Sequence, residues 1–252
     1  MTDDITFFIQ ARLSSTRLPG KILLPFYGEK SIFELLIEKL QKITYRIVVA
    51  TSINQENDKL EYVAKEMGVV VFRGSETDVL QRFIDAAESN GVGSIIRVCS
   101  DNPFLELASM QKLVEFVSKE GNECDYVSFD INGIPSIKTH YGFWTEYVTI
   151  DALKRVCQHT NESLYHEHVT NFIYSHPENF MIKWLEGPHL LREHPDLRLT
   201  IDTREDFETA QKIYADLCVS NPFPSIADVV NYLDLHPYYY QQMRSQILQN
   251  SK

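Results

Sequence analysis

The chain has 252 residues, 44% of them hydrophobic and 23% charged, and 24 Lys and Arg against 35 Asp and Glu give a formal net charge of −11. That length accommodates a substantial core, and the acidity argues against nucleic acid or an anionic membrane as a partner, because phosphate contacts need a cationic surface. A cytoplasmic protein is expected: no apolar run reaches the roughly 20 residues that span a bilayer, the start Met1-Thr2-Asp3-Asp4 lacks a signal peptide's basic residues, and Cys99, Cys124, Cys157 and Cys218 form no CxxC pair and read as free thiols.

In chain order, apolar runs at 5–9, 46–50, 69–72, 94–99 and 126–129 predict buried strands. Helical patterns over 31–42, 55–67, 78–89 and 107–119 alternate with them. Continuous apolar strands separated by helices predict an α/β fold, with a mainly parallel sheet covered by helices on both faces. The second half is less regular. Gly133-Ile134-Pro135 breaks the pattern, and 141–149 mixes aromatic and β-branched residues, predicting an antiparallel excursion. Helices are expected over 150–158 and about 166–174, strands over 180–185 and 198–201, and a helix over 203–218. Two helices separated at His236-Pro237 close the chain. The economical division is one domain over 1–220, with an inserted arm at about 130–190, and a C-terminal helical extension over 221–252.

The run Ala11-Arg12-Leu13-Ser14-Ser15-Thr16-Arg17-Leu18-Pro19-Gly20-Lys21 follows the first strand. It would leave a strand's carboxyl end, where open α/β sheets place their ligands. Three cations and three hydroxyls in one short loop suit a polyphosphate; a solvated basic loop is the alternative. Asp101 follows the fourth strand and is read either as a ligand of a hard cation such as Mg²⁺ or as a helix cap. Asp202 ends the predicted strand at 198–201, so two acids on one sheet edge could hold metal for substitution at phosphorus. Arg73-Gly74-Ser75 precedes a helix and offers phosphate or base contacts, or an ordinary cap. His166-Glu167-His168 places its imidazoles on different helix faces with no third ligand in sight, which disfavours zinc. Tyr238-Tyr239-Tyr240 reads as a packing patch. GxxxxGK[ST], GxGxxG and GxSxG are all absent.

These segments together resemble the cytidylyltransferases that activate acidic sugars, such as CMP-KDO synthetases, and most of all their spore-coat polysaccharide branch. The carriers are the loop from Ala11 to Lys21, then Val48-Val49-Ala50-Thr51-Ser52, Phe72-Arg73-Gly74-Ser75, Ser100-Asp101-Asn102-Pro103, Glu167-His168-Val169-Thr170 and Arg198-Leu199-Thr200-Ile201-Asp202-Thr203. The likeness runs over roughly 5–217, leaving the helices after about Pro222 without a counterpart. It implies a nucleotide-diphospho-sugar transferase fold, Rossmann-like, with a dimerisation arm, and a homodimer. It also implies a nucleotidyltransferase that moves CMP from CTP to a sugar acid or sugar phosphate, with Mg²⁺ and release of pyrophosphate. By the same resemblance Arg12, Lys21 and Asp101 are catalytic. Ala11, Arg12, Ser15, Thr16, Arg17, Lys21, Arg73 and Ser75 bind nucleotide, Asp101 and Asp202 bind metal, and Trp144, Glu146, Glu167 and His168 meet the acceptor. Two departures stand out. Cys99 occupies the place of a base-contacting Gln, and Gly142-Phe143-Trp144-Thr145-Glu146 replaces a common Gly-Leu-Asp-Val-Glu. A glycosyltransferase consuming a nucleotide-sugar is the alternative on the same fold, though the chain has no DxD motif; a catalytically silent nucleotide-binding protein is the other.

Overall fold

Phe7 and Ile9 pack into one hydrophobic cluster and Phe8 into another, and all three are fully buried. Alternate residues of the first strand thus meet two separate cores, which requires cover on both faces of the sheet. The computed structural model describes residues 5–44, 46–219 and 221–250; the acidic start at 1–4 and the expected boundary at 220 lie outside them.

The strand β1 (Thr6–Gln10) is followed by a small hairpin, β2 (Pro25–Tyr27) with β3 (Lys30–Ser31), and by helix α1 (Ile32–Leu40). Ser31 and Glu34 form a reciprocal capping box that fixes where α1 begins. Alternation then runs through β4 (Ile47–Ser52), α2 (Asp58–Glu66), β5 (Val70–Gly74), α3 (Val79–Ser89), β6 (Ser94–Cys99), α4 (Leu107–Glu120) and β7 (Tyr126–Ile131). These elements agree with the expected ones to within a few residues. Beyond them lie β8 (Ile134–Pro135), β9 (Glu146–Thr149), α5 (Ile150–His159), α6 (Ser163–Glu167), α7 (Asn171–Ser175), β10 (Ile182–Glu186), α8 (Arg204–Cys218), α9 (Ile226–Leu235) and α10 (Tyr238–Asn250).

The main sheet runs β10-β7-β9-β6-β1-β4-β5, with β8 on β7. Pairings around β1, β4, β5 and β6 are parallel, and β9 enters antiparallel between β6 and β7. The antiparallel excursion is therefore real, but the range 130–190 contributes β9 to the interior of the sheet and β10 to its edge. The helix expected over 166–174 is two short ones, interrupted at His168-Val169-Thr170. The strand expected over 198–201 does not form. That segment is irregular, bends at Thr200 and lies outside the sheet, tied by Leu199 N–H to the His140 carbonyl and by Ile201 N–H to the Asp101 carbonyl. Both C-terminal helices share the core under the sheet: Ile226, Val229, Val230, Leu233, Tyr239 and Met243 are buried in one cluster with residues of β1, α1, α4 and α8. Among the described residues, no helix is long and apolar enough to cross a membrane.

Candidate active site

Because β1, β4, β5 and β6 run parallel, their carboxyl ends meet on one edge, and the loops leaving β1 and β6 border a cavity of about 740 Å³. The loop after β1 is held at several points. Leu18 is buried, Leu13 N–H donates to Asn57 Oδ1 at 2.9 Å, and Gly20 N–H closes onto the Leu13 carbonyl at 3.0 Å. Gly20 has φ +67°, a left-handed conformation that favours glycine. This turn delivers Lys21 to a short 3₁₀ segment beneath the cavity.

Lys21 is the hub. Its Nζ donates to Asp101 Oδ2 at 3.2 Å and to the Ile201 carbonyl, and lies 3.9 Å from Asp202 Oδ1. Arg17 Nη2 reaches Asp202 Oδ1 at 2.8 Å. The opposite oxygen of Asp202 accepts from Arg198 Nη2 at 3.1 Å, and Arg198 also grips Asp206 with two bonds of 2.8 and 2.9 Å. Burial pushes the Asp206 carboxyl up, but the Arg198 bonds and charge and the backbone N–H groups of Thr203 and Asp202 outweigh it and hold it below the usual range. Asp202 is thus positioned by a buried arginine and a helix start, where the sequence suggested a strand end. Burial and the Arg198 charge push His140, which faces that guanidinium at 3.0 Å, below its ordinary value.

Arg12 bridges two elements, with Nη1 3.4 Å from Glu76 Oε1 and Nη2 3.6 Å from Glu167 Oε1. Ser14 Oγ donates to the same Glu76 oxygen at 2.7 Å. Burial raises the Glu76 carboxyl, but hydrogen bonds from Ser52 and Ser14 and the charges of Arg12 and Arg82 bring it below its ordinary value. Ser15, Thr16, Glu167 and His168 also line the cavity.

The floor comes from β1, β6 and β9. Arg97 donates Nη1 to Glu146 Oε2, while Glu146 Oε1 accepts from Tyr126 Oη and, at 3.0 Å, from Thr170 Oγ1. Burial alone would lower the Arg97 pKa; the neighbouring Cys99 and Glu146 groups and the bond to Glu146 raise it, so the cation is kept. Burial also pushes the Cys99 thiol up to about 11, which leaves it a neutral wall.

Several expected site residues stand elsewhere. Ala11 is packed into the core and does not border the cavity. Arg73 is turned outward onto Asp58 and Glu61, at 2.6 and 2.7 Å, because β5 leads it beside α2; Ser75 accepts from Asp78 N–H as a turn residue. Neither borders the cavity. Trp144 touches the wall, but its indole stacks on Phe129 at 5.5 Å and donates to Ser109 Oγ at 3.1 Å. Glu146 faces the cavity with both oxygens already engaged. Sequence reasoning missed Gln10, Glu76, Arg97, Arg198 and His140. The one available signal was a cation inside the apolar run at 94–99, since a buried charge demands a partner.

Among the described residues, no three His, Cys, Asp or Glu side chains converge as a metal cage. Asp101 and Asp202, both within 4 Å of one ammonium, instead suit a hard divalent cation whose shell is completed by phosphate oxygens and water.

The model of the cytidylyltransferase family matches residues 6–249, reaching through the C-terminal helices that the sequence left without a counterpart. An uncharacterized protein of Methanocaldococcus jannaschii is 36% identical over 91% of this chain and 90% of its own. The spore coat polysaccharide biosynthesis protein SpsF of Bacillus subtilis is 33% identical over 93% of this chain and 96% of its own. A cytidylyltransferase structure from Leptospira borgpetersenii superposes with a TM-score of 0.81 at 28% identity, covering 94% of this chain and 97% of that one. Matched over nearly its whole length, the chain belongs to the cytidylyltransferase family and is an enzyme of nucleotidyl transfer.

Proposed function

We propose that this cavity binds CTP with Mg²⁺ and transfers CMP to an oxygen of a sugar acid or sugar phosphate, releasing pyrophosphate, for assembly of a cell-surface polysaccharide. The observation that carries the reading is the convergence of Lys21, Arg17, Asp101 and Asp202 within one cavity at a sheet edge. A cation–carboxylate cluster of this kind exchanges readily: Arg17 and Lys21 can turn to phosphate oxygens, which frees both carboxylates for a metal. Asp101 and Asp202 would hold Mg²⁺, which would neutralise charge on the phosphates and on the departing pyrophosphate.

Arg12, Ser15, Thr16, Arg17 and Lys21 would hold the triphosphate in line with the attacking oxygen. The oxygen–phosphorus bond forms at the α-phosphorus as the bond to the β-phosphate oxygen breaks. Positioning and charge neutralisation supply the rate enhancement, and no protein nucleophile is required; the neutral Cys99 thiol is unsuited to that role. Glu167 and His168 border the side where the acceptor would enter. A homodimer joined through the 130–190 range and a cytoplasmic location complete the reading; Ile134, Leu164 and Met181 are exposed apolar residues there. The test is pyrophosphate release from CTP and Mg²⁺ with a panel of sugar acids and sugar phosphates. Release dependent on both CTP and an acceptor is expected; CTP binding without release on any acceptor would contradict the transfer reading.

A further inference from the structure

Gln10 ends β1 and pairs in register with Cys99 of β6, so its side chain shares a face with Arg97, two residues earlier on β6. Arg97 Nε and Nη2 both donate to Gln10 Oε1, at 3.0 and 2.9 Å. A guanidinium has donors only, so the amide oxygen must be the atom turned to Arg97, and Nε2 with its two protons is held on the other side. Gln10 itself borders the cavity. Arg97 has no freedom to release this grip, because Nη1 is bound to Glu146, and Tyr126 and Thr170 hold Glu146 in turn. Arg97 and Glu146 are only 6% and 3% exposed, so the chain of contacts is a rigid floor.

The charges say what such a floor can take. The Arg97 cation is balanced by Glu146, and Glu167 stands nearby on the rim. A triphosphate is drawn to Arg12, Arg17 and Lys21, whereas the floor's own cation is already neutralised by Glu146 and attracts an anion less. What the floor offers a ligand is a neutral N–H pair of fixed direction, one residue before the loop and one strand from the strand leading to Asp101. We propose that Gln10 is a specificity-determining residue for the acceptor, donating Nε2–H to an uncharged oxygen, a sugar hydroxyl, of the molecule that attacks phosphorus. This rests on the transfer reading above.

The test uses Gln10→Met, which keeps length and loses the donors, and Gln10→Glu, which keeps an oxygen for Arg97 and loses them too. For each, the affinity for CTP with Mg²⁺ is measured by calorimetry, and the KM for acceptor is measured with 3-deoxy-manno-octulosonate and the sugar phosphates that the wild type accepts. Gln10→Met should leave CTP affinity within about threefold and raise the acceptor KM at least about tenfold, the loss expected when a substrate hydroxyl forfeits its partner. Gln10→Glu should keep the wild-type melting temperature while losing acceptor affinity. A tenfold loss of CTP affinity with an unchanged acceptor KM would assign Gln10 to the base and overturn the proposal, as would unchanged kinetics in an active enzyme. A wild type that releases no pyrophosphate with any acceptor removes the transfer reading itself, and this proposal with it.

Discussion

The two sides of the cavity are built on opposite plans. The rim is one local stretch, Arg12 to Lys21, whose three cations are paired with carboxylates they can exchange; Arg12 and Arg17 are 39% and 40% exposed, and Lys21, deeper, is 11% exposed. The floor is assembled from Gln10, Arg97, Glu146, Tyr126 and Thr170, which are distant in sequence and, apart from half-buried Gln10, sealed from solvent. Exposed pairs contribute roughly 0–1 kcal/mol, whereas breaking a buried pair leaves an uncompensated charge at about 3–5 kcal/mol. The rim is therefore suited to letting go of its partners when a ligand arrives, and the floor to staying where it is.

Substitutions on the two sides should separate stability from turnover. The largest effect is expected for Glu146→Ala, which strands Arg97 and should lower unfolding free energy by about 3–5 kcal/mol in urea; Arg17→Ala, the same measurement on the rim, should change it by less than about 1 kcal/mol. Next come Lys21→Ala and Asp101→Asn, each expected to cut kcat at least about 100-fold, as loss of a charge-stabilising group does, with melting temperature nearly unchanged. A comparable loss of stability in these variants would erase the distinction between rim and floor.

A smaller effect is expected at His166, which joins α6 to Asp78 at 2.9 Å. Burial lowers its pKa, but the bonds to Asp78 and the Thr160 carbonyl and the charge of Asp78 raise it above the ordinary value. A raised folded pKa means the stabilisation is complete below the unfolded imidazole value of about 6.5 and is lost as pH rises through the folded one. His166→Gln should remove that downward slope from unfolding curves recorded across this window. Smallest of all, Arg73→Ala should alter CTP affinity by less than about threefold, because its guanidinium is committed to Asp58 and Glu61 outside the cavity.

The rim was legible in the sequence and the floor was not, for a physical reason. Arg12, Arg17 and Lys21 lie in one loop whose chemistry is local, so composition and position alone suggested a polyphosphate. The first-half strands and helices were equally plain, because each carries its own periodicity. Glu146 was singled out, but its role as the counter-ion of Arg97 depends on β9 entering antiparallel beside β6, a pairing that no spacing in the sequence announces. Asp202 was found for an incorrect reason: the apolar run at 199–201 reads as a strand, yet it is held outside the sheet by carbonyls of His140 and Asp101. Trp144 was expected at the acceptor because it departs from its relatives, and the departure is answered by Phe129 and Ser109 in the core. Arg73 shows the converse: a motif position can match while the neighbouring helix supplies carboxylates that turn the side chain away.

The most direct test is a crystal structure with CTP and Mg²⁺. The triphosphate should lie along Arg12, Ser15, Arg17 and Lys21, with Mg²⁺ between Asp101 and Asp202 and with Arg17 and Lys21 moved from carboxylate to phosphate oxygens. A triphosphate bound clear of this loop, or Asp101 and Asp202 still paired with Lys21 and Arg17 while the nucleotide occupies the separate cavity of about 390 Å³ beside Phe129 and Gly187, would contradict the account.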